Sequence, residues 1–503
     1  MREEVLIVGA GPTGLVLALW LTRQGVKVRI VDRSAGPGTT SRAMAVQART
    51  LELYRQLDLS EAVVQAGYRN PAASLWVGGE RRATLPFTDV GKSLTPYPFV
   101  LVYPQDRHEK LLEQRLRSRG VNVERQTEYL GFEDRGDHVL ASLRGADGVE
   151  RSCEAAYLAG CDGASSLIRH QIGSGFPGGT YEKIFYVADV EASGPGADGQ
   201  IQIALDQSDF VAWLAYGDTG RGRLIGVAAE HQKEGGAALA FDDVGHRALS
   251  HMGLNVAKVN WFSTYRVHHR VTDRYRKGRV FLVGDAAHVH SPAGGQGMNT
   301  GIGDAINLAW KLAAALKRQA PDSLLQSYET ERRSFALRLV ETTDRVFSFA
   351  TADGSFANFL RLKIVPILAP AAYRIGAVRE TMFRILSQTM IDYRDSPLSR
   401  GAAGAVRGGD RLPWVKTASG DNYLSLAQMD WQVHVYGSAT AALADWCARR
   451  GIALHAFEWT PAHGDAGLAR DAGYLLRPDT YVACAVSSGA PDGFERYFSE
   501  TGL

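Results

Sequence analysis

The chain has 503 residues, more than one hydrophobic core supports, so two or three domains are expected. Hydrophobic residues make up 45% and charged residues 22%, and 56 basic against 54 acidic side chains leave a formal charge of +2. That balance belongs to an ordinary globular protein and gives no reason to expect nucleic acid or an anionic membrane as partner.

The N-terminus is acidic and enters an apolar strand directly, so it does not read as a signal peptide. That strand is Val5 to Val8, and Gly9, Gly11 and Gly14 follow it at the spacing of the dinucleotide fingerprint. The first glycine permits a tight turn, the second lets backbone approach a pyrophosphate, and the third lets the next helix pack on the sheet. That helix is expected over Thr13–Gln24, its positive end facing the anion. A second strand, Val26–Val31, ends in Asp32, placed to accept ribose hydroxyls. The fingerprint alone does not choose FAD over NAD.

Tyr157 to Arg169 reads as a strand, an acidic Cys161-Asp162-Gly163 turn and a helix that Ser165 or Ser166 caps. From about Gly175 to Val271 the pattern is β-rich, with strands over Phe185–Val190, Ile201–Leu205, Phe210–Tyr216 and Arg223–Val227 and a turn at Gly217–Gly220. The basic run Arg266 to Arg279 reads as a solvated surface, with attraction of a phosphate-bearing nicotinamide as the rival reading.

Next comes an apolar run ending in Gly284-Asp285, then a glycine-rich loop and a helical pattern. Such a segment holds a polyol chain with a carboxylate and aims a helix N-terminus at a planar anion. His288 and His290 flank it; a structural, hydrogen-bonded role is favoured over acid–base work. Leu308 to Gln388 is mostly helical. Gly401 to Gly409 is a glycine-rich boundary. Beyond it lie a strand (Trp431–Gly437), a helix (Ala439–Arg450), a strand (Ile452–Trp459), a hairpin with a Pro-Asp turn (Tyr474–Ala483) and a last helix. Cys153, Cys161, Cys447 and Cys484 form no Cys-x-x-Cys pair, so neither a disulfide framework, a metal site nor thiol redox work is expected, and a reducing cytoplasm fits. No apolar run approaches the roughly 18 residues that span a bilayer.

The glycine fingerprint, the Asp-Gly motif and the Gly-Asp motif, in that order, make the chain resemble the class A flavoprotein monooxygenases, the family of para-hydroxybenzoate hydroxylase. It is most similar to the polyketide aromatic hydroxylases that carry a C-terminal thioredoxin-like domain. The resemblance implies an α/β fold: an FAD-binding Rossmann-like domain of the glutathione-reductase type (1–175 and 272–400), an inserted β-rich substrate domain (176–271, with part of 70–100 joining its sheet) and a thioredoxin-like domain (401–503). It also implies that NADPH or NADH reduces FAD and that O₂ then gives a flavin C4a-hydroperoxide, which hydroxylates an aromatic substrate.

Carried over residue by residue, Gly9, Gly11 and Gly14 match the pyrophosphate cradle, and Asp32 the ribose-binding acid, more often Glu in the family. Arg33 is placed to line the adenine side, with Tyr129 contacting adenine through backbone. Arg42 matches an arginine near the pyrophosphate and flavin, and Gln105 a glutamine at the ribityl region. Asp162 matches the acid linked to FAD and NAD(P)H, and Asp285 the one that holds the ribityl chain. Pro292, Gly295, Gln296, Gly297, Met298 and Asn299 match the loop around the isoalloxazine. Asp58 and Thr480 stand where the family more often has Gly.

In the family the β-rich sheet forms the substrate cavity. Phe185 and Trp213 are its candidate aromatic lining, with plain core packing the rival for each. The region shows few charges to anchor a carboxylate, which favours a polycyclic phenol. No catalytic base is assigned, and a homodimer is left open. Baeyer–Villiger oxygenation and a non-catalytic, ligand-sequestering flavoprotein are the alternatives. The Trp-x-Trp-x-Ile-Pro run of flavin halogenases is missing, and so is the second fingerprint of a two-Rossmann reductase.

Overall fold

The computed structural model describes residues 3–38, 43–205, 210–217, 220–227, 239–291, 295–351, 375–417 and 420–503. Arg42, Pro292, the Asp218-Thr219 tip of the expected turn and part of the expected helical stretch lie outside these residues.

Val5, Leu6 and Ile7 are fully buried because their strand, Glu3–Val8, is central in a parallel sheet. Glu150–Gly160 pairs with it on one side and Val28–Val31 on the other, and Val280–Leu282 and Val123–Glu124 extend the parallel array. The helix Pro12–Arg23 is buried continuously from Gly14 to Leu21. Such all-round burial needs a second partner besides the sheet. That partner is the long helix Gly297–Arg318, which approaches so closely that a Cβ on Gly301 would stand 2.4 Å from the Thr13 hydroxyl.

A second sheet runs, edge to edge, through His288–Val289, Asn255–Val271, Gly178–Ser193, Arg221–Val227, Phe210–Ala215, Ile201–Leu205, Ala72–Val77 and Glu80–Pro86. All four strands expected between 185 and 227 are present. The last two strands come from the 70–100 region; Ile201–Leu205 pairs in parallel with Ala73–Val77. One face packs Tyr186, Ala188, Trp213 and Leu224 against Leu249 and Met252, carried by and following the short helix His246–His251. On the other face Ile201 packs with Leu85, Phe87 and Phe383, the last from the helix Gly376–Leu386.

The C-terminal strands form a third, mixed sheet of Val406–Arg407, Arg400–Ala403, Val482–Val486, Gly473–Leu476, Gln432–Tyr436 and Ala453–Phe457. The glycine-rich passage from Gly401 is a hairpin within this sheet, paired to Val482–Val486, rather than a connection leading to it. Asp58 (φ +56°) and Thr480 (φ +72°) both hold left-handed backbone, the conformation that favours the Gly expected from the resemblance at both positions.

His108 is fully buried between Tyr54 and Tyr103, with Nε2 2.9 Å from the Tyr54 hydroxyl. Burial pushes it down to about 3, and burial beside His288 takes His290 down to about 4. Both are neutral in the folded chain and protonate near 6.5 once it unfolds, so the unfolded state binds more protons below that pH. Stability is full above pH 6.5 and falls as pH drops toward 4, by about 1.4 kcal/mol per pH unit for each histidine. Between pH 6.5 and 5, above the carboxylate range, His108→Gln is expected to flatten the melting-temperature profile by one proton; an unchanged slope refutes the assignment.

Candidate cofactor and substrate site

The three fingerprint glycines do different things. Gly9 has φ +105°, and a Cβ there would lie 2.2 Å from the Cys161 carbonyl oxygen. On Gly14 it would lie 2.0 Å from the Gly9 carbonyl oxygen. These two are required by the chain's own crossings. Among the described residues a Cβ on Gly11 meets no atom within 4 Å, and Gly11 caps the helix Pro12–Arg23 with no side-chain hydrogen bond to its open amides. Open space at an uncapped helix N-terminus fits a pyrophosphate. Asp32 accepts from the Ala10 amide (2.7 Å) and the Ser34 amide (2.7 Å), which fixes its carboxylate behind the turn. Arg33 beside it is exposed.

Gln105 begins the helix Gln105–Ser118; its amide donates to the Ala43 carbonyl (3.2 Å) and its Nε2 to Glu109 (2.8 Å). Glu109 also accepts from the Gly38 amide (2.9 Å). The pair thus grips both ends of the segment that includes Arg42. The Tyr129 hydroxyl donates to Gln171 (2.6 Å). Asp162 Oδ2 accepts from the Ile168 amide (3.2 Å), while its buried Oδ1 has no hydrogen-bond partner among the described residues, an orphaned acceptor at the strand end. Ser166 caps the helix Leu167–Gln171 through the Arg169 amide (2.9 Å). Arg169 was not anticipated; it links two motifs by donating to the Ala164 and Ala286 carbonyls (2.8 and 2.9 Å).

Asp285 is exposed between buried Gly284 and Ala286, so the Gly-Asp turn presents only its carboxylate outward. Behind it His288 Nε2 lies 2.7 Å from Asp304, which also receives the Arg332 Nε (2.5 Å) and the Gly284 amide (3.1 Å). His288 therefore braces the turn. Asp304 and Arg332 escaped sequence reasoning, although a lone acid among the apolar residues of a buried helix was a signal for the first.

In the following loop Gly295 (φ +63°) leaves no room for a side chain, since a Cβ would come within 2.8 Å of Ala45. Asn299 is a staple: its Oδ1 accepts from the Gln47 amide (3.0 Å) and Thr50 Oγ1 (2.8 Å), and its Nδ2 donates to the Ala45 and Gly295 carbonyls (2.8 and 3.0 Å). Gln296 donates to the Ile385 carbonyl (3.2 Å) and accepts from Gln388 (2.6 Å). Met298 packs on the main core. The helix starts at Gly297, again without a side-chain cap, so its first amides stay available.

The two aromatic candidates for the substrate cavity part company. Trp213 is fully buried on the sheet face that carries His246–His251, its ring against Gly222. Phe185 packs on the opposite face with Val227 and Val267, beside the Tyr265 ring. Arg223, a buried cation of this sheet, is held by Asp189 at 2.6 and 2.8 Å.

The profile of the FAD binding domain family matches residues 2–343. The 6-methylpretetramide 4-monooxygenase of Streptomyces rimosus is 36% identical over 416 residues, 80% of this chain and 72% of its own. A flavin-dependent monooxygenase of Mycobacteroides abscessus is 32% identical over 510 residues, 96% and 97% of the two chains. Among solved structures, OxyS anhydrotetracycline hydroxylase from Streptomyces rimosus aligns over 99% of both chains with a TM-score of 0.79 at 28% identity. The matched span contains the glycine cradle, the orphaned acid at Asp162 and the outward carboxylate of Asp285, and the chain belongs to the FAD binding domain family as an FAD-dependent, class A flavoprotein monooxygenase.

Proposed function

We propose that the protein hydroxylates a phenolic, polycyclic aromatic substrate at the expense of NADPH or NADH. One observation carries the substrate class. The sheet face opposite His246–His251 carries Phe185 and Ile201, Phe383 of the helix Gly376–Leu386 packs on it, and Arg223, a buried cation of this sheet, is already paired. A flat apolar ligand fits such a surface better than a small aromatic acid. The names of the relatives agree: their substrates are 6-methylpretetramide and anhydrotetracycline.

Bound FAD supplies electron transfer from the nicotinamide and activation of O₂. The chain supplies orientation and polarity. The open space at Gly11 and the amides behind it would hold the pyrophosphate, Asp32 would take the ribose and Asp285 the ribityl hydroxyls. The amides at Gly297–Asn299 would offer fixed donors to the negative charge that collects on a reduced flavin. Phe383 packs with Leu85, Phe87 and Ile201 on that sheet face. In the same reading the first sheet is the Rossmann-like unit, the third the thioredoxin-like unit, and the protein works in the cytoplasm without nucleic-acid or membrane partners.

The test is NAD(P)H oxidation by the FAD-loaded protein with a panel of phenols and polycyclic ketones, products identified by mass. Ligand-stimulated oxidation with one added oxygen atom in a phenolic product supports the reading; FAD bound with no stimulation by any ligand points to sequestration. Asp285→Asn is expected to keep the fold, since the side chain is exposed, and to weaken FAD binding about tenfold, roughly 1.4 kcal/mol. Equilibrium dialysis showing unchanged affinity removes Asp285 from the site.

A further inference from the structure

Among the contacts of the C-terminal part with the cofactor unit is a buried turn, Arg477 to Thr480, beside the Arg411–Glu52 ion pair and the packing of Trp431. Asp479 Oδ2 accepts from Trp310 Nε1 (3.1 Å) and Asn307 Nδ2 (3.4 Å), both on the helix Gly297–Arg318. Arg49 donates from Nη2 to Thr480 Oγ1 (2.7 Å) and the Asp479 carbonyl (3.3 Å). The next residue, Thr50, bonds to Asn299 beside the Gly295 loop. The helices Ala48–Tyr54 and Gly297–Arg318 are therefore tied twice, by Asn299 at the loop end and by the turn about two helical turns away. Between the ties is a cavity of about 20 Å³ lined by Arg49, Thr50, Asn299, Asn307 and Asp479, room for one water. Arg49 Nε, buried and without a hydrogen-bond partner, belongs to that lining. Thr480 holds a left-handed conformation that a β-branched residue rarely takes, and its hydroxyl meets Arg49 from there.

We propose that the Arg477–Thr480 turn is a positioning element for the flavin. It sets the register of Gly297–Arg318 against Ala48–Tyr54, and through Asn299 the pose of the Gly295–Asn299 loop. This rests on the reading that FAD lies against that loop. A C-terminal unit that merely packs would stabilise the enzyme without altering the flavin's surroundings.

The experiment compares the holoenzyme carrying Asp479→Asn with one carrying Val482→Ala, which trims the C-terminal core away from both helices. Asp479→Asn is expected to shift the bound-flavin absorbance spectrum and to raise at least threefold the fraction of NAD(P)H oxidation that ends as hydrogen peroxide. Val482→Ala, at an equal or lower melting temperature, is expected to change neither. A wild-type spectrum and coupling in Asp479→Asn, or equal changes in Val482→Ala, overturn the proposal. Should Asp479→Asn not accumulate, Thr480→Val deletes only the hydroxyl: a spectral shift reversed by Thr480→Ser supports the proposal, and no shift overturns it. Gly295→Val separates the two layers. An unchanged flavin spectrum there overturns the placement of FAD and the proposal with it; a changed one, with Asp479→Asn silent, overturns the proposal alone.

Discussion

Gly11→Ala is expected to fold like the parent and to bind FAD about a hundredfold more weakly, whereas Gly14→Ala is expected not to accumulate as folded protein. The two substitutions look alike in sequence and differ in what the new methyl meets. On Gly11 it meets nothing among the described residues, and φ is −74°, so the apoprotein is expected not to change. The methyl instead enters the space assigned to the pyrophosphate and holds it off the helix amides; about 3 kcal/mol of lost contact gives the hundredfold. On Gly14 the methyl stands 2.0 Å from a backbone oxygen and 3.3 Å from Cys161 Cβ, so the helix must leave the sheet by about 1 Å, at a cost of about 3 kcal/mol or more. Soluble yield, melting temperature of the apoprotein and FAD titration check both. A Gly11→Ala protein with parental FAD affinity sinks the cradle assignment; a stable Gly14→Ala protein shows that the helix has more freedom than its burial implies.

The second large effect is expected at Glu331. It is fully buried and receives Arg477 twice (2.6 and 3.0 Å), Lys311 (2.8 Å), Asn307 (2.6 Å) and Ser396 (2.6 Å). Burial pushes its carboxyl up, but the Arg477 guanidinium and Lys311 ammonium outweigh that and hold it below the usual range. Glu331→Gln keeps the shape and removes the charge, leaving Lys311 with no carboxylate and Arg477 with Asp479 alone. Unpairing a buried cation costs about 3–5 kcal/mol. The melting temperature is expected to fall by about 10 °C. Lys311→Met is the informative contrast. Burial pushes the Lys311 ammonium down to about 8, so its charge is the least supported in the cluster, and Glu331 retains Arg477 when it is gone. A smaller loss is therefore expected for Lys311→Met than for Glu331→Gln; the reverse order contradicts this account of the cluster.

Much of the cofactor side was legible in sequence because its signals are local. A buried parallel strand must be a continuous apolar run, and a turn that crosses two carbonyls must be glycine, so Val5 to Gly14 announces itself. The Asp162 and Asp285 turns follow the same logic of strand, acid and glycine. What escaped is long-range. Nothing near Asn299 says that it will staple Ala45, Gln47 and Thr50 across some 250 positions. The Arg-Pro-Asp run was visible, but its partner Glu331 lies 146 positions earlier on a helix whose pattern gave no hint of it. The aromatic pair Phe185 and Trp213 failed to separate for a different reason. Trp213 sits on a strand of alternating burial and Phe185 in a stretch buried on both faces, and neither pattern says which face meets ligand.

The parallel pairing of Ile201–Leu205 with Ala73–Val77 bears on how this enzyme's specificity can be moved. The second sheet is stitched from two excursions of the chain, 72–86 and 178–271, and the seam between them is a run of five register-matched residues. A chimera that imports only the later excursion from a relative would present a foreign edge at that seam. A one-residue slip there would turn Ile201 and Ile203 away from the face on which Leu85, Phe87 and Phe383 pack. Transplanting substrate preference between relatives therefore calls for two coordinated crossovers, and libraries recombined at a single breakpoint between 86 and 178 should be depleted of active members.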